Sequence, residues 1–203
     1  YYEKYFRPNI GYLVIVGDID MAEAKPLVEE YFGNWEKGNV PEFEYETPSK
    51  PSSRKVAIGD KSGAVQTVLS VAYPVELKLG DEDYIAARVM NSILGGSFGS
   101  RLMQNLRETH GYTYGSRSSL SQDRLVGSFQ AGASVRNEVT DSAVYEILYE
   151  LDKIANNPVE AEELEKAKAI MTGGFSRSLE SPQTVARFAL NQNLYNLPDD
   201  YYE

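Results

Sequence analysis

Residues 125–135 read LVGSFQAGASV, which places Leu125, Gly127, Phe129, Ala131, Ala133 and Val135 on one side of an extended chain and, after Val126, polar or small residues on the other. Strict alternation is the period of a half-buried strand. A second extended stretch, YTYGSRSSLS at 112–121, precedes it, and only Gln122, Asp123 and Arg124 lie between. A connection that short joins antiparallel neighbours, because parallel strands need a crossover of about a dozen residues. The pair therefore predicts a β-hairpin, and with it an antiparallel sheet with one apolar face that helices must cover.

The rest of the chain supplies those helices and more strands. GYLVIVGDID (11–20) and RKVAIGDK (54–61) read as strands, the first a short apolar run ending in a Gly-Asp turn, and so does AVQTVLSVAYPV (64–75). Ala24, Leu27, Val28, Tyr31 and Phe32 recur at helical spacing despite Pro26. Residues 38–53, with three prolines and little periodicity, predict a surface connector. A helix is expected from Asp81 or Asp83 with an Ile85, Val89, Ile93 stripe and a glycine stop, followed by one carrying Leu102, Met103 and Leu106 that ends at Gly111. A helix with Ala143, Ile147, Leu151 and Ile154 on one side follows. Asn157-Pro158 is expected to cap the next, which uses Leu164, Ala167 and Ile170, and Ser181-Pro182 starts the last in the same way. The expected architecture is an α+β two-layer sandwich, with a mostly antiparallel sheet and helices on one face. The 203 residues suit a single domain. The start at YYEKYF without methionine, and the stop at YYE in what reads as a new helix, suggest an excised piece of a longer chain.

Composition narrows the chemistry. A formal charge of −10 repels a nucleic-acid backbone, and no apolar run approaches a membrane span. Without cysteine there is no disulfide, thiolate metal site or cysteine nucleophile, a usage equally compatible with a bacterial periplasm or cytoplasm. The single histidine, His110, argues against a zinc site in this chain, since catalytic zinc usually draws on two or three imidazoles. His110 also falls beside a helix C-terminus, where an imidazolium interacts well with the helix dipole. Glu160, Glu162, Glu163 and Glu165 crowd a helix start, again a favourable place for their charge. GGSFGS (95–100) matches no nucleotide-binding pattern, and it reads as a connector between helices.

Two features invite a functional reading. Arg107 stands in the last turn before Gly111, and the chain then turns into Tyr112 and Tyr114, so the Arg107 guanidinium and the Tyr114 phenol are placed around one sharp corner. From spacing alone they are either a clamp or an arginine paired with a surface acid beside a half-buried tyrosine. The serines at 116, 118, 119 and 121 leave a polar strand that a substrate peptide can join by β-augmentation, with Ser116 and Ser118 as candidate substrate-binding residues.

FRPNIGYLVIVGDID (6–20) and LGGSFGSRLMQNLRETHGYTYG (94–115) resemble the C-terminal domain of the pitrilysin/insulinase family of zinc metallopeptidases, which includes the mitochondrial processing peptidases. PVEAEELEKAKAIM (158–171) and NLPDDYYE (196–203) look like the same family's later helices, so the likeness covers nearly the whole chain. The resemblance implies two half-barrels closing around an extended peptide, with zinc held by an inverted H-x-x-E-H that this chain lacks. It implies that this domain is metal-free and inactive alone, with a zinc-bearing domain or half as partner in cis or in trans. It further implies that Arg107 and Tyr114 clamp the peptide and act with zinc held elsewhere. A non-catalytic assembly subunit of the same family, like the core proteins of respiratory complexes, and a free-standing peptide-binding module are the alternatives.

Overall fold

A computed structural model describes every residue except Thr47, Lys50 and Glu203. The chain divides into two compact units, Tyr1–Glu46 with Gly174–Glu203, and Thr47–Gly173.

The second unit carries the sheet. Strands β1 (Gln66–Val75), β2 (Thr113–Ser121) and β3 (Gly127–Arg136) are all antiparallel in the order β1-β3-β2, so the hairpin β2-β3 forms where the alternation placed it. Pairing of Leu69 with Ala133 and of Ser116 with Ala133 sets one face of all three strands. On that face Phe129, Ala131, Ala133 and Val135 are buried, whereas Leu125 lies in the turn and is exposed.

Covering this face are α3 (Tyr84–Asn91), α4 (Arg101–Met103) and α5 (Thr140–Asn156), and Leu102, Ala143 and Ile147 of these, with Leu94 and Leu106 of the turns that follow α3 and α4, complete the core. The unit is the α+β arrangement expected, a sheet with helices on one face. Two helical segments are wider than expected. Ser92–Gly96 continues α3, and Gln104–Thr109 continues α4, as π-helical turns. The buried stripe of the first helix runs through Tyr84 instead of Ile85, which is exposed. Helix α6 (Ala161–Ser178) begins three residues after the predicted proline cap, and Asn157 caps the end of α5, its side-chain amide donating to the Lys153 carbonyl at 3.1 Å.

The first unit is helical: α1 (Tyr2–Tyr5), α2 (Met21–Phe32) and α7 (Pro182–Tyr195), together with the end of α6. Asp20 and Glu23 form a capping box at the start of α2, and Ser181 with Pro182 opens α7 as predicted. Residues 11–16 are not a strand. They make no ladder, and Leu13 and Ile15 are exposed, because among the described residues every regular element of that unit is helical and an isolated extended run is left without a strand to pair with. Residues 54–61 likewise form no strand, and Val56 and Ile58 are exposed. The described part of 38–53 is without regular structure, as expected, with Thr47 and Lys50 outside the described residues. At the other end, residues 199–202 form a turn where a further helix was expected, and Glu203 is outside the described residues.

Candidate functional site

The corner between α4 and β2 is built in three steps. Leu102, Met103 and Leu106 face the sheet and are buried, which fixes the rotation of the helical turn that bears Arg107. The turn ends with His110 N–H donating to Asn105 O at 3.1 Å, an i→i−5 bond, and Gly111 adopts φ +61°, the left-handed stop that glycine takes without strain. Arg136 of β3 then donates from Nη1 to the Gly111 carbonyl at 2.9 Å and ties the corner to the sheet.

Beyond the corner β2 begins with a bulge. Its register against β3 shifts between Thr113 and Ser116, leaving Tyr114 and Gly115 outside the regular ladder. The Thr113 hydroxyl bridges the irregularity, accepting from Gly115 N–H at 3.1 Å and donating to the Ser134 carbonyl at 2.6 Å. Tyr114 is thereby turned out, 87% exposed, and its ring lies 4.8 Å from the Arg107 guanidinium carbon. The structure thus brings Arg107 and Tyr114 together. Arg107 does have a surface acid beside it, Glu108, at 3.3 Å from Nε, but Tyr114 is not half in the core. Among the described residues, no hydrogen bond engages the terminal Nη atoms of Arg107.

A third group was not singled out from the sequence. Phe98, at the tip of the GGSFGS turn, lies with its ring 5.2 Å from the Arg107 guanidinium carbon and is 72% exposed. The turn is held by Ser97, whose hydroxyl donates to the Ser92 carbonyl at 3.1 Å, and by Ser100 N–H donating to Ser97 O at 3.2 Å. An aromatic residue among glycines and serines was the available signal.

Ser116 and Ser118 point the other way. Both are buried, with Ser116 Oγ donating to Gly132 O at 3.1 Å and Ser118 Oγ to Asn91 Oδ1 at 2.8 Å. Outward β2 presents Arg117 and Ser119, and on the sheet edge not occupied by β3 no further strand pairs with it among the described residues, although Ser116 N–H already donates to Met103 Sδ at 3.3 Å. A groove runs past Ser118, Ser119 and Leu120, walled by Arg88, Asn91 and Ile170.

Behind the corner lies a polar bracket. Arg101 makes a two-pronged contact with Glu163 of α6, Nε to Oε1 at 2.8 Å and Nη2 to Oε2 at 2.6 Å. The hydrogen bond from Arg101 holds the Glu163 carboxyl below its ordinary range against the opposing effect of partial burial, and the same bond raises the arginine further. Asn105 donates to Glu146 and to buried Glu150 of α5, both at 2.9 Å. His110 sits 3.7 Å from Glu146 and stacks on Tyr112 at 4.9 Å between ring centres.

Residues 1–171 match the family described as the peptidase M16 inactive domain. The chain belongs to that family. Among relatives of this M16 inactive domain, a Bacillus subtilis protein called "Uncharacterized zinc protease YmxG" is 28% identical over 185 residues, covering 89% of this chain and 43% of the relative. Another from B. subtilis, "Probable inactive metalloprotease YmfF", is 22% identical over 182 residues, covering 89% of this chain and 41% of its own length. The crystal structure of a peptidase M16 inactive domain from Pseudomonas fluorescens superposes with a TM-score of 0.73 at 26% identity, covering 91% of this chain and 43% of that one. The M16 domain here thus spans about two fifths of the proteins it matches.

The side chains present do not fit a zinc ion. Among the described residues no three His, Cys, Asp or Glu groups are placed to hold a metal, and His110 is engaged with Glu146 and Tyr112. In zinc proteases of this kind the metal belongs to the catalytic domain, and this chain corresponds to the inactive one.

Proposed function

We propose that this domain encloses and orients an extended peptide within a zinc metalloendopeptidase of the insulinase or processing-peptidase kind, whose chemistry is carried by a partner domain in cis or in trans. The observation that carries the reading is the pairing of Arg107 with Tyr114 at the bulged end of an edge strand, with the arginine's terminal nitrogens unengaged among the described residues and the phenol exposed. A guanidinium presents a planar fork of donors and a phenol presents one more, and both match peptide carbonyl oxygens. Donors fixed in advance are worth most where negative charge builds on such an oxygen. Beyond Ser116, whose N–H is taken by Met103 Sδ, the edge of β2 adds main-chain groups for the peptide backbone, and the groove beside it leaves room for side chains. Ser116 and Ser118 contribute by holding β2 to β3 and to Asn91.

The test is Arg107→Ala and Arg107→Lys in the complete peptidase, with an internally quenched peptide as substrate. Loss of about 10²-fold in kcat/KM for the alanine variant at unchanged stability supports the clamp, and lysine should recover only part of it. Undiminished turnover sinks it.

A second reading is favoured by the names of two relatives, the inactive B. subtilis protein and a Helicobacter pylori protein called "Non-peptidase homolog YmxG", 28% identical over 113 residues, 56% of this chain and 26% of its own length. Here the domain is a non-catalytic partner in an assembly. The complete protein then hydrolyses no peptide with zinc supplied, whereas the first reading requires turnover.

A further inference from the structure

The Phe98 ring lies outside the hydrophobic core. It is 72% exposed in a turn of glycines and serines, where a small polar residue would expose less apolar surface. The ring faces the Arg107 guanidinium, 5.2 Å away, and that same guanidinium lies 4.8 Å from the Tyr114 ring. The two rings come from segments on opposite sides of α4 in the chain, one before it and one after the Gly111 corner. Both segments are pinned, the first by the Ser97 and Ser100 hydrogen bonds and the second by the Thr113 bridge. An arginine whose one ion pair among the described residues is with its neighbour Glu108 would otherwise sample many rotamers, and fixing such a chain is costly. Two aromatic faces restrict it while leaving its N–H edge unblocked, since a cation is attracted to a ring face without spending its hydrogen bonds.

From this geometry we infer that Phe98 is a positioning residue for Arg107. It holds the guanidinium in the orientation that receives the peptide carbonyl and touches no reacting atom itself. The inference rests on the proposed clamp for its functional meaning and on ring geometry for its structural content, so the two are tested separately.

In the 203-residue chain, the Arg107 Hδ and Hε resonances are assigned for wild type and for Phe98→Leu, Phe98→Trp and Tyr114→Leu. Phe98→Leu keeps the apolar bulk and removes the ring current. The expected result is a downfield move of Arg107 Hδ and Hε and faster side-chain averaging in Phe98→Leu, both restored in Phe98→Trp, with backbone amides of α4 and β2 unmoved. Unchanged Arg107 side-chain signals in Phe98→Leu overturn the inference. In the complete peptidase, Phe98→Leu should lower kcat/KM about 2- to 5-fold, the range one exposed cation-to-ring contact supports. Phe98→Trp should retain wild-type turnover, and Phe98→Leu should add no loss in an Arg107→Ala background. Independent losses in that double variant also overturn it. If Arg107→Ala leaves turnover intact while the resonances behave as stated, the clamp fails and the positioning stands.

Discussion

Arg101 and Glu163 show how a single contact fixes the position of a whole turn. The pair spans 62 residues of sequence and joins the first turn of α4 to α6 with two hydrogen bonds, and Arg101 is the more buried partner. Glu163 has its folded pKa pulled below the ordinary 4.5. Its contribution to stability is therefore complete above the ordinary carboxylate range and disappears as pH falls through the depressed folded value. We expect Glu163→Gln to lower stability by about 1–3 kcal/mol at neutral pH. The deficit should shrink toward zero below roughly pH 4. Urea midpoints measured between neutral and acidic pH check this, and a deficit independent of pH refutes it. Sequence reading found Glu163 only as one acid in a favourable helix start. Nothing in the spacing announces a partner 62 positions away, whereas Arg107 and Tyr114, seven positions apart around a glycine stop, were legible because the corner is local.

At the scale of elements, the hairpin was readable to within a residue or two because alternation and a short connection are both local signals. The two π-helical turns were not, since no residue type encodes an i→i−5 bond and they arise from how the segment seats on β2. Gly95 marks that seat. A Cβ there would collide with the Ser118 backbone nitrogen, so the first π turn and β2 approach as closely as main chains allow. What looked like a glycine-rich connector is partly a packing surface. Gly95→Ala should destabilise the domain by about 1–3 kcal/mol, read as a lower thermal midpoint. Gly173→Ala, where a Cβ meets open space inside α6, should cost nothing and serves as the control. An unchanged midpoint for Gly95→Ala would mean the close approach does not hold in solution.

For the whole molecule, the sheet unit is the part that local patterns specify, and the expected strands at 11–20 and 54–61 show where they stop. Val-Ile runs identify segments suited to a sheet but carry no information on whether a partner edge is within reach, and a strand exists only in company. The same fact has a consequence for β2, whose outer edge pairs with no further strand among the described residues. Its regular ladder runs from Ser116 to Ser121 and then breaks at the bulge beside Tyr114. On the proposed function, a peptide added there can run along at most about six residues, roughly 20 Å, before the edge turns away, and it must displace Met103 Sδ from the Ser116 N–H, 3.3 Å away. Affinity in a nested peptide series should climb up to that length and then level off, and a steady climb past it would count against edge binding. Measured this way, the bulge is a ruler: it sets how much of a long polypeptide the domain grips at once, whatever side chains that polypeptide carries.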